Sequence, residues 1–206
     1  MSISFNVANL LYPVKVLGPG ERIGIWFSGC THGCKGCCNP ELWNAQKRHN
    51  IKEDLFFKLI DSITNSYKVT GFTLTGGDPF MQPEALRVIL PYLKKNSSDI
   101  LVYTGYTIEQ LKELEYEDIL KHIAVLIDGK YIEQRNTNVF LRGSDNQKIH
   151  ILNDDYKAFY EDYIANGVNE FQNFKTKTGF ISVGIYKPHY KEDLKKLLAD
   201  KGVEIG

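Results

Sequence analysis

The sequence predicts a single α/β domain built on a parallel sheet, and three observations carry that reading. Strand-like apolar runs alternate with amphipathic helical stretches, the pattern of right-handed βαβ units. The polar and glycine-rich residues fall just after each strand, where βα folds build their sites. The chain has 206 residues, enough to bury a sizeable core without disulfides.

Taken in order, Gly18-Pro19-Gly20 signals a turn, and Arg22 to Phe27 reads as the first strand. A loop from Ser28 to about Asn39 follows. Ile51 to Ser66 carries one apolar face at helical spacing, with Asn50 as its expected cap and Glu53 three residues on. Val69 to Thr75 is a second strand, ending at Gly76-Gly77-Asp78-Pro79. A helix is expected from near Gln82, interrupted or kinked by Pro91, since proline lacks a helical donor and crowds the preceding turn.

Asp99 to Thr104 is a third strand, and Thr107 opens a helix with Gln110 completing a capping box. Ala124 to Ile127 is a fourth, ending at Asp128-Gly129. Lys148 to Leu152 reads as a further strand, Asp154 to Ala165 as a helix, and Phe171 to Thr178 as irregular. Phe180 to Tyr186 is strand-like, and Tyr190 to Asp200 is an amphipathic helix stopped near Gly202. The cysteine loop, Gly76-Gly77-Asp78, Thr104-Gly105 and Asp128-Gly129 are thus expected on one rim.

Lys and Arg total 25 and Asp and Glu total 25, a balance that argues against a nucleic-acid-gripping protein. No run approaches the roughly 18 apolar residues of a membrane span. The start, Met1 to Asn6, lacks the pattern of a signal peptide. The expectation is a cytoplasmic protein that engages neither nucleic acid nor membrane. In that compartment clustered cysteines mean metal binding or catalysis.

All four cysteines, Cys30, Cys34, Cys37 and Cys38, lie within nine residues. The first three form CxxxCxxC. Three thiolates in a tight loop hold three corners of a 4Fe–4S cubane and leave one iron open, whereas closed clusters take four. An open metal position is the mark of a catalytic site. S-adenosylmethionine (SAM) suits that iron, through its amino and carboxylate groups. Two other readings stand beside this one: a structural zinc with His32 or Cys38 as fourth ligand, and a ferredoxin-like cluster using Cys38. Cys38 adjoins Cys37, which makes a second corner of one cube hard to reach.

Gly18-Pro19-Gly20-Glu21-Arg22, then Gly29 to Pro40 and Trp43, together resemble the anaerobic ribonucleoside-triphosphate reductase activating protein family. Thr73 to Pro79, Val102 to Tyr106, Asp128 to Tyr131 and Leu141 to Gln147 match further signatures in family order, from about residue 4 to 152. The resemblance implies a partial parallel (βα) barrel of the radical SAM type. Residues 1–152 would be the core and 153–206 a C-terminal extension packed on it.

It also implies an activase. A 5′-deoxyadenosyl radical would take hydrogen from a backbone glycine of an anaerobic ribonucleotide reductase, with electrons from a donor such as flavodoxin or ferredoxin. The alternatives are another glycyl radical protein of the pyruvate formate-lyase type, a small substrate, or a zinc-binding interaction module. Carried over by position, Cys30, Cys34 and Cys37 hold the cluster, and Gly76, Gly77 and Asp78 cradle the methionyl end of SAM. Thr104 and Asp128 contact SAM or a cation, and Arg142, Asn146 and Gln147 serve docking or SAM contact. Trp43 and Tyr106 pack around the cluster loop.

Overall fold

The computed structural model describes residues 3–177 and 179–200. Its centre is a seven-stranded sheet in the order β3-β1-β2-β4-β5-β6-β7. The strands β2 (Arg22–Phe27), β4 (Gly71–Gly76), β5 (Ile100–Tyr103) and β6 (Val125–Asp128) run parallel. Antiparallel strands flank them: β1 (Ser4–Val14) and β3 (Asn50–Lys52) on one side, β7 (Lys148–Ile151) on the other. The sheet ends at β3 and β7, so the molecule is mixed α/β with a mostly parallel centre, and no closed barrel forms among the described residues.

Alternation along the strands explains why both faces are covered. Ile23, Ile25, Phe27, Phe72, Leu74, Ile100, Val102 and Leu126 point to one side and join the main core. There α1 (Glu53–Ser66) buries Phe56 and Ile60, and α2 (Pro83–Lys94) buries Leu86, Ile89, Leu90 and Leu93 at helical spacing. The short α3 (Ile108–Glu113) and α4 (Glu117–Leu120) complete this layer. The helix α2 runs on through Pro91 to Lys94. Burial of Leu90 and Leu93 on either side outweighs the one bond that proline removes.

The opposite face is covered by residues after 152. Val183 and Ile185 pack on Trp26, Val14, Leu17 and Leu42. Tyr160 packs on Leu101, Val125 and Ile127. These come from α5 (Lys157–Asn166) and from the hairpin of β8 (Phe171–Lys175) and β9 (Phe180–Gly184), which precedes α6 (Tyr190–Ala199). The side chain of Gln172 fastens the hairpin to β1. It accepts from Lys15 N at 2.9 Å and donates to Pro13 O at 2.6 Å.

Several elements depart from the sequence reading. The strand β1 and the short β3 were not expected. Asn50 pairs with Asn6 in β3 and does not cap α1, whose N-cap is Lys52 with no side-chain bond. The stretch read as irregular from Phe171 forms β8, because Gln172 finds its partners on β1 and not in water. The Thr107–Gln110 capping box is present as expected. The stop at Gly202 lies outside the described residues. Among the described residues no helix is long and apolar enough to cross a membrane.

Candidate functional site

The four parallel strands end on one rim, and the residues that follow them surround a cavity of about 370 Å³. Cys30, Cys34, Cys37 and Cys38 line it, with Gly76, Gly77 and Asp78 after β4. Thr104 and Gly105 follow β5 into the same wall, and Gly129 follows β6. The strand pattern alone brings these segments together, since parallel strands in register deliver their C-terminal ends side by side.

Main-chain bonds stitch the cysteine loop to the end of β4. Gly77 N donates to Phe27 O at 2.8 Å, and Asp78 N to Gly29 O at 3.0 Å. Gly29 N and Cys30 N donate to Leu42 O and Trp43 O, returning the loop on itself. A turn closed by Cys37 N to Cys34 O at 3.2 Å places the last two ligand candidates together. The glycines answer to this packing. A side chain on Gly77 would meet Gly29 O at 2.5 Å and Leu42 O at 3.0 Å, both main-chain atoms that cannot swing away. Gly77→Ala is therefore expected to displace the loop and lower iron bound per chain after reconstitution by more than half. Wild-type iron content in that variant would refute the packing argument.

Asp78 is 1 % exposed, and its carboxylate is fully engaged. Phe80 N donates to Oδ1 at 2.9 Å, Gly105 N to Oδ2 at 2.8 Å, and the Thr104 hydroxyl to both at 3.0 Å. His32 Nε2 lies 2.7 Å from Oδ2, and the ring meets Tyr106 edge-on. The Asp78 oxygens tie the cysteine loop, the end of β4 and the end of β5 into one piece. Thr104 lines the cavity but spends its hydroxyl proton on Asp78.

Asp128 ends β6, next to Gly129. It does not line the cavity with the cysteines, although Gly129 does. Its Oδ2 accepts from Ile108 N at 2.8 Å, at the start of α3, and its Oδ1 from Lys148 N at 3.3 Å. An acidic oxygen at a helix start satisfies a donor that has no partner within the helix. Asn146 and Gln147 clamp the turn that follows β6. Asn146 Nδ2 donates to Lys130 O and Gln147 Nε2 to Gly129 O, both at 2.8 Å, while Gly143 N donates back to Gln147 Oε1. Arg142 Nη1 bonds to Gln147 O at 2.9 Å. This clamp sets the cavity wall at Gly129 and Tyr131. Trp43 lines the cavity directly.

The three CxxxCxxC thiols are half-buried, and Cys38 is exposed. Burial pushes the Cys30 thiol above its ordinary value, with the charges of Asp78, Cys34 and Cys37 adding to it. Burial likewise raises Cys34, seconded by Cys37. The thiols thus lie within each other's electrostatic reach around one cavity, and metal must displace their protons. Among the described residues no three His, Cys, Asp or Glu side chains are arranged to hold a single metal ion. His32, the proposed fourth zinc ligand, has its Nε2 on Asp78. Three half-buried thiols at CxxxCxxC spacing, with the exposed Cys38 adjoining Cys37, fit a cluster with an open iron better than a four-ligand tetrahedral ion.

Sequence reasoning missed one wall entirely. Consecutive residues from Ser182 to Tyr190 line the cavity, and Asn136 Nδ2 holds this segment through Tyr186 O at 2.9 Å. No periodicity marks those residues as part of a site.

The family described as a 4Fe-4S single cluster domain matches residues 16–150. An anaerobic ribonucleoside-triphosphate reductase-activating protein of Enterobacteria phage T4 is 38% identical over 144 residues, covering 68% of this chain and 90% of that protein. The protein of the same name from Vibrio cholerae is 37% identical over 147 residues, covering 68% and 94%. That from Escherichia coli K12 is 32% identical over 149 residues, covering 68% and 96%.

Proposed function

We propose that this chain, which belongs to the anaerobic ribonucleoside-triphosphate reductase-activating protein family, activates such a reductase by SAM cleavage at a 4Fe–4S cluster on Cys30, Cys34 and Cys37. The observation that carries the reading is the set of three half-buried CxxxCxxC thiols, with Cys38 exposed beside them, at a cavity built from strand-end loops. When bound, the reduced cluster and SAM supply an electron and a 5′-deoxyadenosyl radical, which leaves with one hydrogen atom from a reductase glycine as 5′-deoxyadenosine beside methionine.

The chain's own residues supply position and shelter. Cys30, Cys34 and Cys37 fix three corners of the cluster. The main chain at Gly76 and Gly77 forms the adjoining wall for the methionyl end of SAM. Asp78, held by Thr104, Gly105, Phe80 and His32, keeps that wall in register with the cysteine loop. Trp43 and Tyr131 line the cavity with apolar surface that limits water near the thiolates. The parallel run of β2, β4, β5 and β6 supports reading the open sheet as a partial barrel of the radical SAM type. An electron donor such as flavodoxin or ferredoxin completes the scheme, in a reducing cytoplasm.

The test is anaerobic reconstitution followed by SAM, dithionite and the reductase. The expected result is 5′-deoxyadenosine together with a glycyl radical EPR signal on the reductase. A full cluster that yields neither product, even with the reductase present, would sink the reading.

A further inference from the structure

The family match ends at residue 150, and the relatives are 90–96% used by segments of 144–149 residues. They have little length left to match the unit that follows residue 152 here. That unit nevertheless builds one wall of the cavity.

The way it does so is informative. Ser182, Val183 and Gly184 of β9 line the cavity in succession, and Ile185 and Tyr186 carry the wall on beyond the strand. A strand presenting a face would show only alternate residues, because side chains alternate across it. Meanwhile Val183 and Ile185 bury their side chains against Trp26, Leu17 and Leu42. The cavity therefore meets β9 along its edge. Among the described residues β9 pairs with β8 only, so this edge carries no further strand.

The register says which main-chain groups lie there. Thr176 N donates to Gly179 O at 2.9 Å, closing the hairpin. Counting from that pair, Phe174–Ile181 and Gln172–Val183 exchange bonds across the ladder. Asn173–Ser182 and Phe171–Gly184 alternate with them, so the N–H and C=O of Ser182 and Gly184 point away from β8. The Tyr186 hydroxyl donates to Ser182 O at 3.0 Å, as an outward carbonyl allows. Gln172 on β1 and Asn136 on Tyr186 hold the edge in place from both ends.

We propose that this edge is the docking strand for the reductase: its glycine-bearing segment enters the cavity extended and adds to β9 as a third strand. The inference rests on the activase reading, which requires a polypeptide main chain to reach the cavity. An open strand edge recognises that chemistry through main-chain bonds, with little dependence on side chains. Gly184 and Ser182 then set the depth at which the incoming glycine stops, beside the cysteine loop.

The experiment pairs hydrogen exchange with an edge-blocking variant. In wild-type protein carrying its cluster, amides of 180–186 should gain protection when the cognate reductase is added. Ser182→Pro removes an outward N–H and obstructs an added strand while taking no bond from β8. It should raise the reductase concentration for half-maximal radical formation about tenfold. Asn173→Pro, on the outer edge of β8 and away from the cavity, likewise removes an N–H that faces away from its partner strand, so it should retain wild-type half-saturation. Visible cluster absorbance checks that each variant is folded. Unprotected 180–186 amides with the reductase bound, or wild-type half-saturation in a folded Ser182→Pro, would overturn the proposal. Exchange reads docking whether or not SAM is cleaved, so failure of the chemistry is told apart from failure of the strand.

Discussion

Replacing Cys30, Cys34 or Cys37 by alanine is expected to abolish 5′-deoxyadenosine formation, while Cys38→Ala retains much of it. The three residues line the cavity half-buried, each within electrostatic reach of the others, whereas Cys38 is exposed and follows Cys37 directly. Adjacent side chains diverge, so Cys37 and Cys38 do not serve neighbouring corners of one cube. Loss of a partner one step removed from a metal costs about 10–100-fold in affinity or activity, and loss of a ligand costs more. The expected drop is therefore beyond about a hundredfold for each of the three. Iron and sulfide per chain, measured with deoxyadenosine, separate a missing cluster from an idle one. Cluster loss in Cys38→Ala, with retention in Cys34→Ala, would reverse the ligand assignment.

The parts legible in the sequence are those set by local chemistry. The strand β2, the Thr107–Gln110 box, the cysteine loop and the Gly76-Gly77-Asp78 segment each depend on near neighbours, and each falls where expected. The parts not legible depend on partners far along the chain. Nothing around Asp78 reveals that donors from residues 32, 80, 104 and 105 will converge on it. Gln172 reads as a loop residue until Pro13 and Lys15 are beside it. The strand β1 hides for a related reason. Most of its residues are only partly buried, so its apolar positions show no clean period of two. The role of Asp128 was obscured by its position. A strand-end aspartate beside glycine reads equally well as a ligand contact or a helix cap, and its bond to Ile108 N shows only in the fold.

Asp99→Ala is expected to destabilise the protein by about 3–5 kcal/mol, the cost of stripping one partner from a buried ion pair. Arg22 is fully buried, and its guanidinium lies 2.7 Å from Asp99 Oδ2. It also donates to the Thr73 hydroxyl at 2.8 Å and to Phe72 O at 2.6 Å, so the charge is held on the sheet face that α5 covers. Tyr160 of α5 donates to Asp99 Oδ1 at 2.5 Å, and burial pushes its phenol up, which keeps the proton in place. Removing Asp99 leaves Arg22 charged with only neutral acceptors and leaves the Tyr160 hydroxyl without that acceptor. Tyr160→Phe removes a single bond to a charged group and should cost less, about 1.5–3 kcal/mol. The combination Arg22→Met, Asp99→Leu, Tyr160→Phe removes the buried charge altogether and should be milder than Asp99→Ala alone. Urea unfolding of the four proteins orders these terms. If the triple variant proves the least stable, packing and not the uncompensated charge is what holds this face. The same series bears on the site, because Arg22 opens β2, and β2 runs without interruption into the loop that carries Cys30. Loosening the pair from the extension's side should therefore lower cluster retention in step with stability, although Tyr160 belongs to the unit beyond the family match.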